Sequence, residues 1–168
     1  MNNIISTNIL RFFILVLIQV LICSHINFLG YINPYIYILF VILFPVKNNR
    51  VLFIFLSFLL GLTVDIFLDS GGMHAAACVF IAYVRPVVLK FSFGIQYEHL
   101  TMKFDAIEFG SKITYITVLT ILHHIILFYL EIFSISKIML VLQKTLFSSI
   151  FTILLCVLIT IIFSRKTK

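Results

Sequence analysis

The chain has 168 residues, 62% of them hydrophobic and only 11% charged, with a mean hydropathy of +1.21. Soluble domains carry about 25% charged residues, so this composition excludes an ordinary soluble fold and predicts a chain solvated by lipid. The net charge of +6 lies beside the apolar runs, which ties it to membrane topology and argues against nucleic acid as a partner.

A bilayer core of about 30 Å needs about 20 helical residues per crossing. On that measure the apolar runs predict an all-α integral membrane protein of six transmembrane helices, a single polytopic domain over residues 1–168. The first span covers about 10–29 and begins at Arg11. It is long enough to cross and no A-x-A-like site follows it, so a cleavable signal peptide is not expected. The second, about 32–46, is the shortest, with Pro34 and Pro45 at its ends. Proline suits the first turn of a helix and its exit. The third and fourth spans cover about 51–68 and 73–91, and the fifth and sixth about 111–130 and 144–163.

Residues 92–110 make the one long loop. Leu100, Phe104 and Ile107 have helical spacing there, among Glu98, Lys103, Asp105 and Glu108. That pattern predicts an amphipathic segment on the cytoplasmic leaflet, a partner-binding face, or both. With six spans, Arg11, Lys47, Arg50, Arg85, Lys90, Lys103, Lys112, Arg165, Lys166 and Lys168 fall on one side and only Lys137 and Lys144 on the other. By the positive-inside rule both termini are then cytoplasmic. Omitting the second span would set Arg11 opposite Lys47 and Arg50. The chain has no Trp, so interface anchoring is expected of Tyr31, Tyr35 and Tyr37. Cys23, Cys78 and Cys156 each lie inside an apolar run without metal spacing and read as packing residues.

Polar residues within spans need a reason. The densest group runs from Gly61 through Asp65, Asp69, Ser70, Gly71 and Gly72 to His74. Gly71 and Gly72 permit a tight reversal. Asp65 and Gly61 are successive turns deeper on one face, and Gly61 lets another helix approach closely. His74 is at a depth to meet Asp65 across the turn. Three readings follow: a clip between two helices, a partner contact, and proton or ligand handling. Arg85, three turns beyond His74, is expected to snorkel to cytoplasmic headgroups or to hold a partner's acid, with a kink or helix end at Pro86. His123 and His124 point about 100° apart on a helix, so they do not share a metal easily, and one is expected to pack inside the bundle. His25, Asn27 and Asn33 decorate the first outer turn and are expected to be solvated. No phosphate loop, HExxH or GxSxG is present, so neither an enzyme nor a cofactor is expected.

Gly61-Leu-Thr-Val-Asp65-Ile-Phe through Gly72-Met-His74-Ala-Ala, then Ile81-Ala-Tyr-Val-Arg85-Pro86, resembles the rod shape-determining MreD family. The segments around Arg11 to Gln19, Gly30 to Tyr37 and Leu43 to Pro45 are similar to its Bacteroidetes members. The resemblance implies a non-enzymatic scaffold of the cell-wall elongation complex in the bacterial inner membrane. It would bind MreC, and through it the MreB filament and RodA with its transpeptidase. It also implies a bundle like the substrate-binding subunit of energy-coupling-factor transporters, in which Gly61, Asp65, Gly72, His74, Arg85 and Pro86 are the partner-facing or structural residues. The rival expectation is a solute- or vitamin-binding subunit of an uptake transporter. Such a subunit should converge several polar or aromatic groups in its outer half.

Overall fold

The computed structural model describes residues 2–28, 32–46, 49–94 and 108–164. Most of the 92–110 loop, with Leu100, Phe104 and Ile107, lies outside the described residues, as do Tyr31, Lys47, Lys103, Arg165, Lys166 and Lys168.

Among the described residues the only regular elements are helices, joined by turns and short extended stretches, with a single isolated Phe28–Ile32 bridge at the first turn. The α-helices are α1 (Asn2–Leu21), α2 (Leu39–Leu43), α3 (Arg50–Leu68), α4 (Met73–Phe93), α5 (Phe109–Ile132) and α6 (Ile138–Ser164). Short 3-10 turns precede α2 at Ile36–Ile38 and α6 at Ile135–Lys137. Five segments are long and apolar enough to cross a membrane: Thr7–His25, Arg50–Leu68, Met73–Phe93, Phe109–Ile132 and Ile135–Ile162. Two helices start earlier than the spans expected at about 10 and 144. α1 starts at Asn2 and α6 at Ile138, because backbone hydrogen bonding continues through Asn, Gln and Lys where hydropathy does not.

α3, α4, α5 and α6 pack consecutively as antiparallel neighbours. α3 begins on Asn49, whose Oδ1 accepts from the amides of Val51 at 2.9 Å and Leu52 at 3.4 Å, as an N-cap should. It ends on Asp69, left-handed at φ 51°. Gly71 at φ 66° and Gly72 at φ 94° then reverse the chain. Nothing stands within 4 Å of a Cβ built at Gly72, so Gly72→Ala meets only the backbone penalty. Its expected cost is about 1 kcal/mol, read as a small fall in thermal midpoint in detergent.

α2 is the element that hydropathy misjudges. Residues 36–42 are buried at 0–4% exposure, in the centre of the main apolar cluster, but only Leu39–Leu43 form α-helix. The segment from Ile32 to Val46 is thus part extended and part helical. Broken backbone at membrane depth must find hydrogen-bond partners within the protein, and here side chains supply them. Gln19 Nε2 donates to the Pro34 carbonyl at 3.1 Å, and the Tyr35 amide donates to Thr152 Oγ1 at 3.1 Å. At the other end Arg11 Nη1 donates to the Leu43 carbonyl at 3.2 Å. The segment therefore runs antiparallel to α1, from the level of Gln19 to the level of Arg11.

Candidate functional site

Polar side chains converge at three places, all anchored on α4. The first is the α3–α4 turn. The N-cap residue of α4 is Gly72, which has no side chain to offer the first amides. Asp65 offers its carboxylate from α3 instead. Oδ1 accepts from the His74 amide at 3.0 Å and from Ser70 Oγ at 2.6 Å, and Oδ2 accepts from the Ala75 amide at 2.8 Å. A carboxylate at a helix N-terminus answers orphan amides and the positive end of the dipole together. Gly61 makes the approach possible: a Cβ there would lie 2.5 Å from both Ala75 Cα and the His74 carbonyl oxygen. The expected meeting of Asp65 with His74 is thus made to the backbone amide and not to the imidazole. Asp69 is exposed and Ser70 half-buried.

The His74 ring belongs to the second convergence. Tyr37 Oη stands 2.8 Å from His74 Nδ1 and 2.8 Å from His123 Nε2. Both His123 and His124 are fully buried, which corrects the expectation that only one would be. His124 Nδ1–H donates to the Thr120 carbonyl at 2.7 Å, and Thr152 Oγ1 lies 3.3 Å from Nε2. The Tyr35 ring packs against His74, His123, His124 and Phe128 at centroid distances of 5.2 to 6.4 Å. Beyond Phe128 lies an ion pair, Lys144 Nζ to Glu131 Oε1 at 2.6 Å, with Lys144 also 5.6 Å above the Phe128 ring. Tyr37 was expected at the interface as an anchor; it is instead the central hydrogen-bonding group of the bundle. The two histidines it meets stand on two different spans, so no local sequence signal marked it.

The third convergence surrounds Arg85. The expected snorkelling does not occur, since Arg85 is 3% exposed. Nε donates to Tyr115 Oη at 2.7 Å, Nη2 donates to the carbonyls of Ile42 (3.3 Å) and Phe44, and the guanidinium lies 4.9 Å from the centre of the Phe53 ring. Tyr115 Oη donates to the same Ile42 carbonyl at 3.2 Å. A cation at the C-terminus of α2 is favoured by orphan carbonyls and helix dipole alike. No ion pair to Arg85 exists among the described residues. α4 also continues past Pro86 to Phe93, so no helix end occurs there. Pro86 lacks an amide for the Ala82 carbonyl, and a neighbouring helix supports this stretch: Arg50 Nη2 donates to the Tyr83 carbonyl at 3.3 Å.

The three cysteines are buried and unpaired. Asn27 and Asn33 do more than face water: the Asn27 amide donates to Asn33 Oδ1 at 2.8 Å and Asn33 Nδ2 donates to Asn27 Oδ1 at 3.2 Å, clasping the first turn. On the outside of α3 and α4 lies an open apolar groove of about 610 Å³. Its floor includes Gly72, Ala75 and Ala76, and Phe58, Phe80 and Tyr83 are among its walls. No family model, no curated protein and no solved structure matches the chain.

Proposed function

We propose that the protein is a non-enzymatic membrane scaffold, of the kind the MreD resemblance implies, in a bacterial inner membrane with both termini cytoplasmic. The chain would cross six times. The second passage would be the segment from Ile32 to Val46, which follows α1 from the level of Gln19 at Pro34 to the level of Arg11 at Leu43.

One observation carries the scaffold reading: the groove between α3 and α4. Polar groups of the spans are spent mainly inward, on holding helices and the broken segment together, while this outward trough is apolar and floored by small residues. Small-residue surfaces let a partner helix approach to backbone distance, which is how helices associate where lipid removes the hydrophobic drive between them. The partner proposed is the membrane segment of MreC, with the MreB filament and RodA with its transpeptidase engaged through it. Asp65 holds the first turn of α4, and so the upper floor of the groove, in place. Asp65→Leu is expected to lower recovery of MreC on co-purification severalfold at equal expression. Undiminished recovery would remove Asp65, and the turn it organises, from the partner surface.

Solute binding for uptake remains the second reading, and one observation favours it. Tyr35, Tyr37, His74, His123 and His124 converge in one half of the bundle, as a ligand-orienting site would require. A small molecule identified by mass spectrometry in the purified protein would establish that reading against the scaffold.

A further inference from the structure

Two imidazoles on different helices share one phenol. Tyr37 Oη is 2.8 Å from His74 Nδ1 on α4 and 2.8 Å from His123 Nε2 on α5. A phenol has one proton to donate, and a neutral imidazole has one N–H and one bare nitrogen. The two hydrogen bonds must therefore run in the same sense. In one sense His74 Nδ1–H donates to Tyr37, which donates to His123 Nε2, and His123 carries its own proton on Nδ1. In the other sense every proton is reversed, and His123 Nδ1 is bare. Either way His123 Nδ1 is buried without a partner among the described residues. An unanswered buried polar nitrogen costs about 1–3 kcal/mol.

The surroundings are mixed. α3 contributes Asp65, whose carboxylate holds the His74 amide; α4 contributes Cys78; the segment before α2 contributes Tyr35; α5 contributes His124. From α6 the nearest polar group is Thr152, at His124, with Lys144 held beyond the Phe128 ring by Glu131. His74 stands in the first turn of α4, beside the reversal that carries the exposed Asp69 and Gly71, whereas His123 lies deeper in the bundle with no exposure. The end of the bridge nearer the surface is thus His74, and the buried end is His123.

We propose that Tyr37 is a proton-transfer bridge between His74 at the α3–α4 turn and His123 inside the bundle. A proton binds His74 Nε2. The Nδ1 proton of His74 passes to the Tyr37 oxygen as the Tyr37 hydroxyl proton passes to His123 Nε2. His74 and Tyr37 end neutral, and His123 holds the charge with a proton on each nitrogen. His123 Nδ1 has no acceptor among the described residues, so the proton leaves by the reverse of the same two transfers and the starting hydrogen bonds return. This proposal is independent of the scaffold reading.

The test uses the full chain, labelled with nitrogen-15 at histidine, in lipid nanodiscs. In the unsubstituted protein, deuterium exchange is read separately at the His74 and His123 rings at neutral pH. Tyr37→Phe keeps the ring and removes the bridge. It is expected to slow deuterium exchange at the His123 ring about tenfold or more, a conservative loss for a positioned proton carrier, while His74 exchanges as before. Equal His123 exchange in both proteins would overturn the bridge. Should Tyr37→Phe fail to fold, His74→Gln leaves the phenol in place and must slow His123 likewise; unchanged exchange there also overturns it.

Discussion

Replacing Arg85 by leucine is expected to destabilise the bundle by about 3 kcal/mol, more than any other single change on the α4 helix. The guanidinium answers the carbonyls of Ile42 and Phe44 and the hydroxyl of Tyr115. Leucine answers none of them. Tyr115 keeps its bond to Ile42, but the Phe44 carbonyl, on a residue only 2% exposed, loses its donor. An opposing gain exists, because burying a guanidinium is itself costly and its removal relieves that cost. The gain is small here, since three oxygens and the Phe53 ring already solvate the charge. Arg85→Lys should recover part of the loss, as an ammonium lacks the planar fork that reaches Tyr115 and two carbonyls at once. Equilibrium unfolding in detergent reads both variants. A leucine variant as stable as the parent would show that α2 does not depend on this cap.

Gly61→Ala is the second change expected to be severe, at about 2–3 kcal/mol. The new methyl would stand 2.5 Å from Ala75 Cα and the His74 carbonyl oxygen. Both are backbone atoms, so no side chain can rotate away and α3 must withdraw from α4. Withdrawal also lengthens the bonds from Asp65 to the amides of His74 and Ala75. The loss should therefore be less than additive when Gly61→Ala is combined with Asp65→Leu, since each breaks the same contact. A fully additive double variant would mean that the two residues act separately.

The α3–α4 turn was legible in the sequence because its signals are local. Gly71 and Gly72 announce positive φ, and Gly61 and Asp65 share a face one turn apart. What escaped was every contact between spans distant in sequence. Arg85 reads as a snorkelling cation because Pro86 follows it; only the carbonyls of Ile42 and Phe44, some forty positions earlier, explain its burial. Tyr37 reads as an interface anchor until His74 and His123 are brought to it. α2 reads as an ordinary short span because hydropathy records composition and not whether the backbone is continuous helix. The same limit hides the partner face: α5 and α6 bury Leu119 and Leu127 and expose Leu146 and Leu154, so a leucine against lipid and one against protein carry the same signal.

The scaffold reading is tested most directly in cells, by a photoreactive side chain at Ala76 on the groove floor and, as a control, at Leu146, exposed on α6. The reading predicts that Ala76 becomes joined to the membrane segment of MreC and that Leu146 does not. Attachment of MreC from Leu146 with none from Ala76, or from neither position, would contradict it.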